Sequence, residues 1–298
     1  MAQQPTTTRW SPLVLACLAA TWLVWGSTYL AIRFSLAGLP PFFGMGTRFV
    51  VAGGALLLWV HGRGAAASSL RQWRNALLIG GLMLGGGMGC TAFAEQTVPS
   101  GLTVAFIAVV PALVTVISLP FGLRPTILEV AGLTIGLIGT LLLSRGAGFS
   151  ASPTGLLALC FATTCWSLGS VLSQQNFKLA PGGTGYGAQM LCGGLVLLTI
   201  SALRHEPLHW PVPLPAGLAW AYLVIFGSLI AFTAYMKLLE HTSPAIAASY
   251  TFVNPVIGLL LGIGFGGESV NAYEWLAVGV ILAGLALLLF GRQRRGGH

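Results

Sequence analysis

Residues 96–123 read QTVPSGLTVAFIAVVPALVTVISLPFGL, a run without a single Asp, Glu, Lys or Arg. A second run, residues 146–177, is equally free of charge. In water such stretches need a large protein core to cover them. In a bilayer they are ordinary helices, which satisfy their own backbone hydrogen bonds. The rest of the chain reads the same way. Of 298 residues, 55% are hydrophobic and 7% charged, with a mean hydropathy of +0.85, whereas soluble domains carry about 25% charged residues. At about 20 residues per crossing, ten crossings use roughly two thirds of the chain and leave little for an extramembrane domain. The fold class is an all-α integral membrane protein.

Turn residues and charges place helices at about 12–36, 40–61, 72–95, 100–120, 126–144, 153–177, 184–203, 215–238, 243–264 and 271–291. Prolines stand at several joints (Pro40-Pro41, Pro99, Pro125, Pro153, Pro215, Pro244), where a first helical turn has no use for the missing N–H. Assigning basic residues to alternate sides gives Arg9, Arg63, Arg71, Arg74, Arg124, Lys178, Lys237, Arg292, Arg294 and Arg295 to the side holding both termini. Arg33, Arg145 and Arg204 fall on the other, with Arg48 inside a helix. That asymmetry predicts two cytoplasmic termini and an even number of crossings. The net charge of +8 is then a property of cytoplasmic loops, with the Arg292, Arg294 and Arg295 tail a membrane-side anchor and not a nucleic-acid patch. Val14-Leu15-Ala16-Cys17 loosely matches a lipoprotein cleavage box, but the apolar run continues past it, so a retained first helix is expected. Cys17, Cys90, Cys160, Cys165 and Cys192 lie in apolar stretches without metal-ligand spacing and read as reduced packing residues.

The chain also resembles itself. A shift of 141 residues lays Trp25 on Trp166 and Arg48 on Gln189. A shift of 145 pairs Glu95, Thr97, Pro99, Glu129 and Gly139 with Glu240, Thr242, Pro244, Glu274 and Gly284, and a shift of 144 pairs Pro111 with Pro255. These matches predict two five-helix repeats, residues 1–147 and 148–298. Five is odd, so the second copy enters the membrane from the opposite face. Inverted repeats with a site between them are the architecture of secondary transporters.

The Trp25-Gly26-Ser27-Thr28-Tyr29 run, Thr47-Arg48-Phe49, the helices bearing Pro111 and Pro255, and Gly267-Glu268 resemble the EamA family of the drug/metabolite transporter superfamily, over essentially the whole chain. Within it, the sequence is similar to the YddG-type aromatic amino-acid exporters. The resemblance implies ten helices in two pseudosymmetric halves, a central cavity lined by helices 1, 3, 4, 6, 8 and 9, and helices 5 and 10 at the periphery. One departure stands out: where members often carry an acid after helix 4 to match Glu268, this chain has Arg124.

A polar metabolite crossing lipid needs a pocket that replaces part of its hydration and opens to each side in turn. Trp25, Thr28 and Tyr29, about one turn apart on helix 1, offer an aromatic face with a hydroxyl; Trp166 and Ser170 occupy the equivalent stretch of helix 6. Tyr250 and Asn254 are spaced i, i+4 just before Pro255, which frees a carbonyl about one turn earlier, near Thr251. Either Asn254 meets substrate or it satisfies its own helix. Pro111 gives helix 4 a matching kink without a matching Asn, so both prolines are candidate hinges. Arg48, about eight residues into helix 2, is either a partner for a substrate carboxylate or a structural pin. Met83, Phe93 and Tyr235 are candidate apolar contacts. The glycines from Gly81 to Gly89 give helix 3 a face for close packing. Glu95 and Glu240 are expected to be solvated or helix-capping rather than proton carriers.

The chain contains no Asp, and its five histidines, His61, His205, His209, His241 and His298, all fall in loops or tails, which argues against an enzyme, a metal or another cofactor. A nucleotide-sugar or sugar-phosphate antiporter would need several cavity cations, and only Arg48 is available. The expected function is an inner-membrane exporter of aromatic or other neutral amino acids, or related small metabolites, working by alternating access and possible as facilitated diffusion. Proton-coupled export of other metabolites or drugs is the alternative, and a channel a more distant one. Its partners are the small-molecule substrate and membrane lipid, with no nucleic acid; the sequence leaves the oligomeric state open.

Overall fold

Three helices begin on the same dipeptide, Ser-Pro. At Ser11-Pro12, Ser152-Pro153 and Ser243-Pro244 the serine hydroxyl accepts the N–H of Val14 (3.2 Å), Gly155 (3.0 Å) and Ile246 (3.4 Å), while proline fills the first helical position. Other helices start on different caps. Ser69 and Gln72 form a capping box, Thr126 and Glu129 another, and Glu206 reaches across to accept from the Phe42 and Phe43 N–H groups (3.2 and 2.8 Å).

The computed structural model describes residues 11–98, 100–143, 151–208, 210–266 and 272–293. Arg9, Pro99, Arg145, His209, Gly267-Glu268, Arg294, Arg295, His298 and the expected boundary at 147/148 lie outside them. Among the described residues, four helices long and apolar enough to cross a membrane come first: α1 (Pro12–Leu36), α2 (Pro41–His61), α3 (Leu70–Ala94) and α4 (Leu102–Phe121). Next comes α5 (Ile127–Leu143), apolar but shorter. Five more long helices follow: α6 (Pro153–Gln174), α7 (Gly183–Leu203), α8 (Leu214–His241), α9 (Pro244–Leu261) and α10 (Ala272–Phe290). The expected positions are helical where described, with ends displaced by a few residues.

Two pairs make the most extensive contacts, α2 with α7 and α5 with α10. Both rest on glycine. A methyl group at Gly53 of α2 would lie 2.6 Å from the Leu191 backbone N and 2.7 Å from the Gly187 carbonyl; one at Gly132 of α5 would lie 2.5 Å from the Leu288 N. Backbones this close leave no room for a side chain, which is how helices gain dispersion contact where lipid removes the hydrophobic drive. The glycines of α3 do the same towards α6 and α7: at Gly85 an added methyl meets Val196, at Gly87 it meets Trp166.

Helix α1 packs against α8 and α9, and α6 against α3 and α4. Two helices carry a wider π-helical winding, Gly81–Gly89 in α3 and Leu223–Phe232 in α8. Two others are interrupted. In α4 the winding breaks between Ile107 and Val110, just before Pro111. In α9 it breaks between Ala247 and Tyr250, and the helix then continues through Pro255. Outward-facing Leu58, Leu157, Leu218, Leu276 and Phe290 are exposed on the protein surface, as a lipid-contacting belt requires. The five cysteines are unpaired.

Candidate functional site: a cavity floored by aromatic rings

The interior of the bundle holds a narrow cavity with about 40 Å³ of free space. Its walls are Trp25, Thr28, Tyr29 and Ile32 from α1; Gly87, Met88 and Thr91 from α3; Ile107 and Val110 at the α4 break; Ala162, Thr163 and Trp166 from α6; and Tyr250 from α9. None of these carries a charge. The lining draws on the second half of α1 and α3 and the first half of α4, so the space lies toward the end of the bundle where α3 gives way to α4.

Its floor is aromatic. Trp25 stands 4.5 Å from Tyr250, 5.2 Å from Tyr235 and 5.6 Å from Trp166, centroid to centroid, with edge-on or tilted rings. Trp166 and Tyr235 are 5.2 Å apart. The two tryptophans related by the 141-residue shift thus meet at the centre. Tyr235 and Tyr250 come from the end of α8 and the start of α9, so the rings close the cavity from the side on which α1 begins. Such pairs add about 0.5–1.5 kcal/mol each beyond burial.

Most polar groups here are already engaged. The Trp25 Nε1–H donates to the Gly227 carbonyl (3.1 Å), and the Thr28 hydroxyl to the Trp25 carbonyl (2.8 Å). Asn254 Nδ2 donates to the Tyr29 hydroxyl (3.4 Å). Ser170 donates to the Trp166 carbonyl (2.7 Å), which leaves its oxygen to accept from the Tyr235 hydroxyl (2.8 Å). Two buried atoms are left over: the Trp166 Nε1–H, beside the Tyr235 hydroxyl without a formed bond, and Asn254 Oδ1. One is a donor, the other an acceptor.

Of the residues singled out by sequence, Trp25, Thr28, Tyr29, Trp166 and Tyr250 line the cavity. Tyr235 lies beneath the rings, Ser170 braces Tyr235, and Asn254 braces Tyr29. The remaining three stand elsewhere. Arg48 is fully buried against α8, with its Nε donating to Ser228 Oγ (2.7 Å), its Nη1 to Met45 Sδ (3.4 Å) and its guanidinium 4.8 Å from the Phe49 ring. Met83 packs between α6 and α7 and accepts from Gln189 Nε2 (3.3 Å). Phe93 stacks on Phe42 at 5.9 Å beneath Arg204, at the end of the bundle.

Thr91 and Thr163 on the wall were not singled out from the sequence. Thr163 lies one turn before Trp166, a usable signal. Thr91 follows the π segment, where ordinary helical spacing fails. Glu240 pairs with Lys237 at 3.4 Å on the surface, as expected of a solvated acid. Glu95 takes the capping position at the end of α3 but is not solvated: both carboxylate oxygens are buried without a partner.

Comparison with known proteins converges on one family. The EamA-like transporter family matches this sequence twice, over residues 10–145 and 153–290. The chain belongs to the EamA-like transporter family. Among EamA-type relatives, the inner membrane transporter YedA of Escherichia coli K12 is 39% identical over 280 residues, 94% of this chain and 91% of YedA. Protein PecM of Dickeya dadantii is 29% identical, covering 91% of this chain and 92% of PecM. A crystal structure superposes with a TM-score of 0.77 at 24% identity, covering 95% of this chain and 98% of that one, so the fold is shared. Family and fold together make this EamA protein a multi-pass membrane transporter.

Proposed function

We propose that the protein exports aromatic or other neutral amino acids, or related small metabolites, across the bacterial inner membrane by alternating access. The two halves, residues 1–147 and 148–298, act as inverted five-helix repeats with both termini cytoplasmic. The observation that carries the substrate class is the composition of the cavity: walls without a charge, an aromatic floor, and the Trp166 Nε1–H left over on the wall. A zwitterion of zero net charge suits such a site, because its carboxylate takes the Trp166 donor and its ammonium the wall hydroxyl oxygens of Thr28, Thr91 and Thr163, whose own protons go to backbone carbonyls. A sugar phosphate would meet no wall cation. The name of YedA supports the inner-membrane location.

In this reading Trp25, Thr28, Tyr29, Trp166 and Tyr250 contact substrate. Ser170, Tyr235 and Asn254 position them, and the breaks in α4 just before Pro111 and in α9 between Ala247 and Tyr250, ahead of Pro255, are the hinges. Arg48, Met83 and Phe93 act at one remove. Arg48 holds α2 to α8 and reaches substrate only if the Ser228 contact opens. No chemical step is assigned, and the protein acts as a carrier, not an enzyme.

The test is uptake of a radiolabelled panel of aromatic and aliphatic amino acids by purified protein in liposomes, with and without trans substrate. Saturable uptake accelerated by trans substrate is expected. Flux that neither saturates nor shows counterflow would make it a channel, and no uptake by folded protein would refute the substrate class.

A further inference from the structure

Glu95 caps the end of α3, one residue beyond the span Leu70–Ala94. It lies on the same stripe as two wall residues, seven positions after Met88 and four after Thr91. The residue is half-buried, with both oxygens withdrawn from solvent and without a hydrogen-bond partner. Its inverted-repeat counterpart, Glu240, has the ordinary environment, paired with Lys237 and exposed. A carboxylate with neither water nor a donor is the costly state of this group; the neutral acid is the cheap one.

The surroundings are weakly basic at most. From α1, Tyr29 and Arg33 act on Glu95 through space, and neither bonds to it. From the end of α7, Arg204 stands over the Phe93 and Phe42 rings, at 5.1 and 5.7 Å. Glu206 is engaged with the start of α2, and neither the first turns of α6 nor α4 carries a titratable group. Burial raises the Glu95 carboxyl well above the usual carboxylate range, against the opposing pull of Arg33.

We infer that Glu95 is a proton-binding site of the transport cycle, neutral while the cavity is closed at the α3–α4 end and ionised when that end opens to water. The proton comes from the aqueous phase at that end and returns to it on opening. Closure then depends on pH on one side of the membrane only, a mechanism that rests on the carrier reading above.

All six acidic side chains are glutamates, which keeps the infrared carboxyl region simple. In lipid nanodiscs at pH 7, the wild type should show a neutral-carboxyl C=O band that shifts in D2O. It should vanish in Glu95→Gln, persist in Glu240→Gln, and return, displaced, in Glu95→Asp. Absence of the band from the wild type, or its survival in Glu95→Gln, overturns the inference. In liposomes, exchange of labelled for unlabelled phenylalanine should fall at least several-fold when the α3–α4 side is made alkaline, and Glu95→Gln should abolish that dependence. A one-sided pH effect surviving in Glu95→Gln also overturns it. If the wild type exchanges neither phenylalanine nor leucine, the carrier reading fails, while the infrared band still decides the proton site.

Discussion

Gly53 and Gly54 are adjacent on α2, and the structure gives them opposite fates on conversion to alanine. At Gly53 the new methyl would sit 2.6 Å from the Leu191 backbone N, 2.7 Å from the Gly187 carbonyl and 3.0 Å from Met190 Cβ. Ordinary contact begins near 3.4 Å, so the shortfall is about 0.8 Å against backbone atoms that cannot swing aside. The helices must separate, and overpacking of this kind costs about 1–3 kcal/mol. At Gly54 nothing lies within 4 Å of the added methyl. There the substitution only removes glycine's excess unfolded-state freedom, worth about 0.5–1 kcal/mol in favour of the fold. With roughly 2–4 °C per kcal/mol for a chain of this class, Gly53→Ala should lower the melting temperature in detergent by several degrees. Gly54→Ala should leave it unchanged or raise it by a degree or two. Size-exclusion after stepwise heating measures both. Equal shifts in the two variants, or a neutral Gly53→Ala, would refute the backbone contact between α2 and α7.

Other outcomes follow from the site and its supports. Ser228→Ala removes the acceptor of Arg48 Nε and should cost about 1–3 kcal/mol. The same change in an Arg48→Met background should cost less than 1 kcal/mol, which a double-mutant melting cycle checks. Trp166→Ala and Asn254→Ala should each cut labelled amino-acid uptake about tenfold or more while the protein still elutes as a folded species; unchanged kinetics in both would remove them from the site. Tyr235→Phe deletes the hydroxyl bonded to Ser170 and keeps the ring. It should therefore alter KM by no more than a few-fold, whereas Tyr235→Ala opens the floor and should reduce uptake as strongly as Trp166→Ala.

The membrane class was legible because charge-free runs such as 96–123 have few physical solutions, and helix starts were legible where a proline marked the joint, as at Pro153 and Pro244. Trp25 and Trp166 were matched by aligning the sequence with itself, and Tyr250 was found from its place one turn before Asn254 and Pro255; the rings of all three meet at the cavity floor. Side chains whose environment depends on a third helix could not be read this way. Arg48 looks the same in sequence whether it faces a cavity or, as here, Ser228 on α8. Glu95 looked solvated because it ends a helix, and only the packing around it withdraws its oxygens from water. Thr91 was hidden by the π-helical winding just before it, which breaks the phase from which a helical face is read.

That winding has a consequence for length variation. A π-helical turn holds about one residue more than an α-helical turn over a similar advance, so Gly81–Gly89 and Leu223–Phe232 are where this chain carries slack. A one-residue deletion inside either segment can be taken up by tightening to ordinary pitch, with the flanking faces kept in place. The same deletion in α2 or α7 would turn everything beyond it by about 100°. Of the helices described, α3 and α8 are thus the two in which a single-codon deletion leaves the central rings standing.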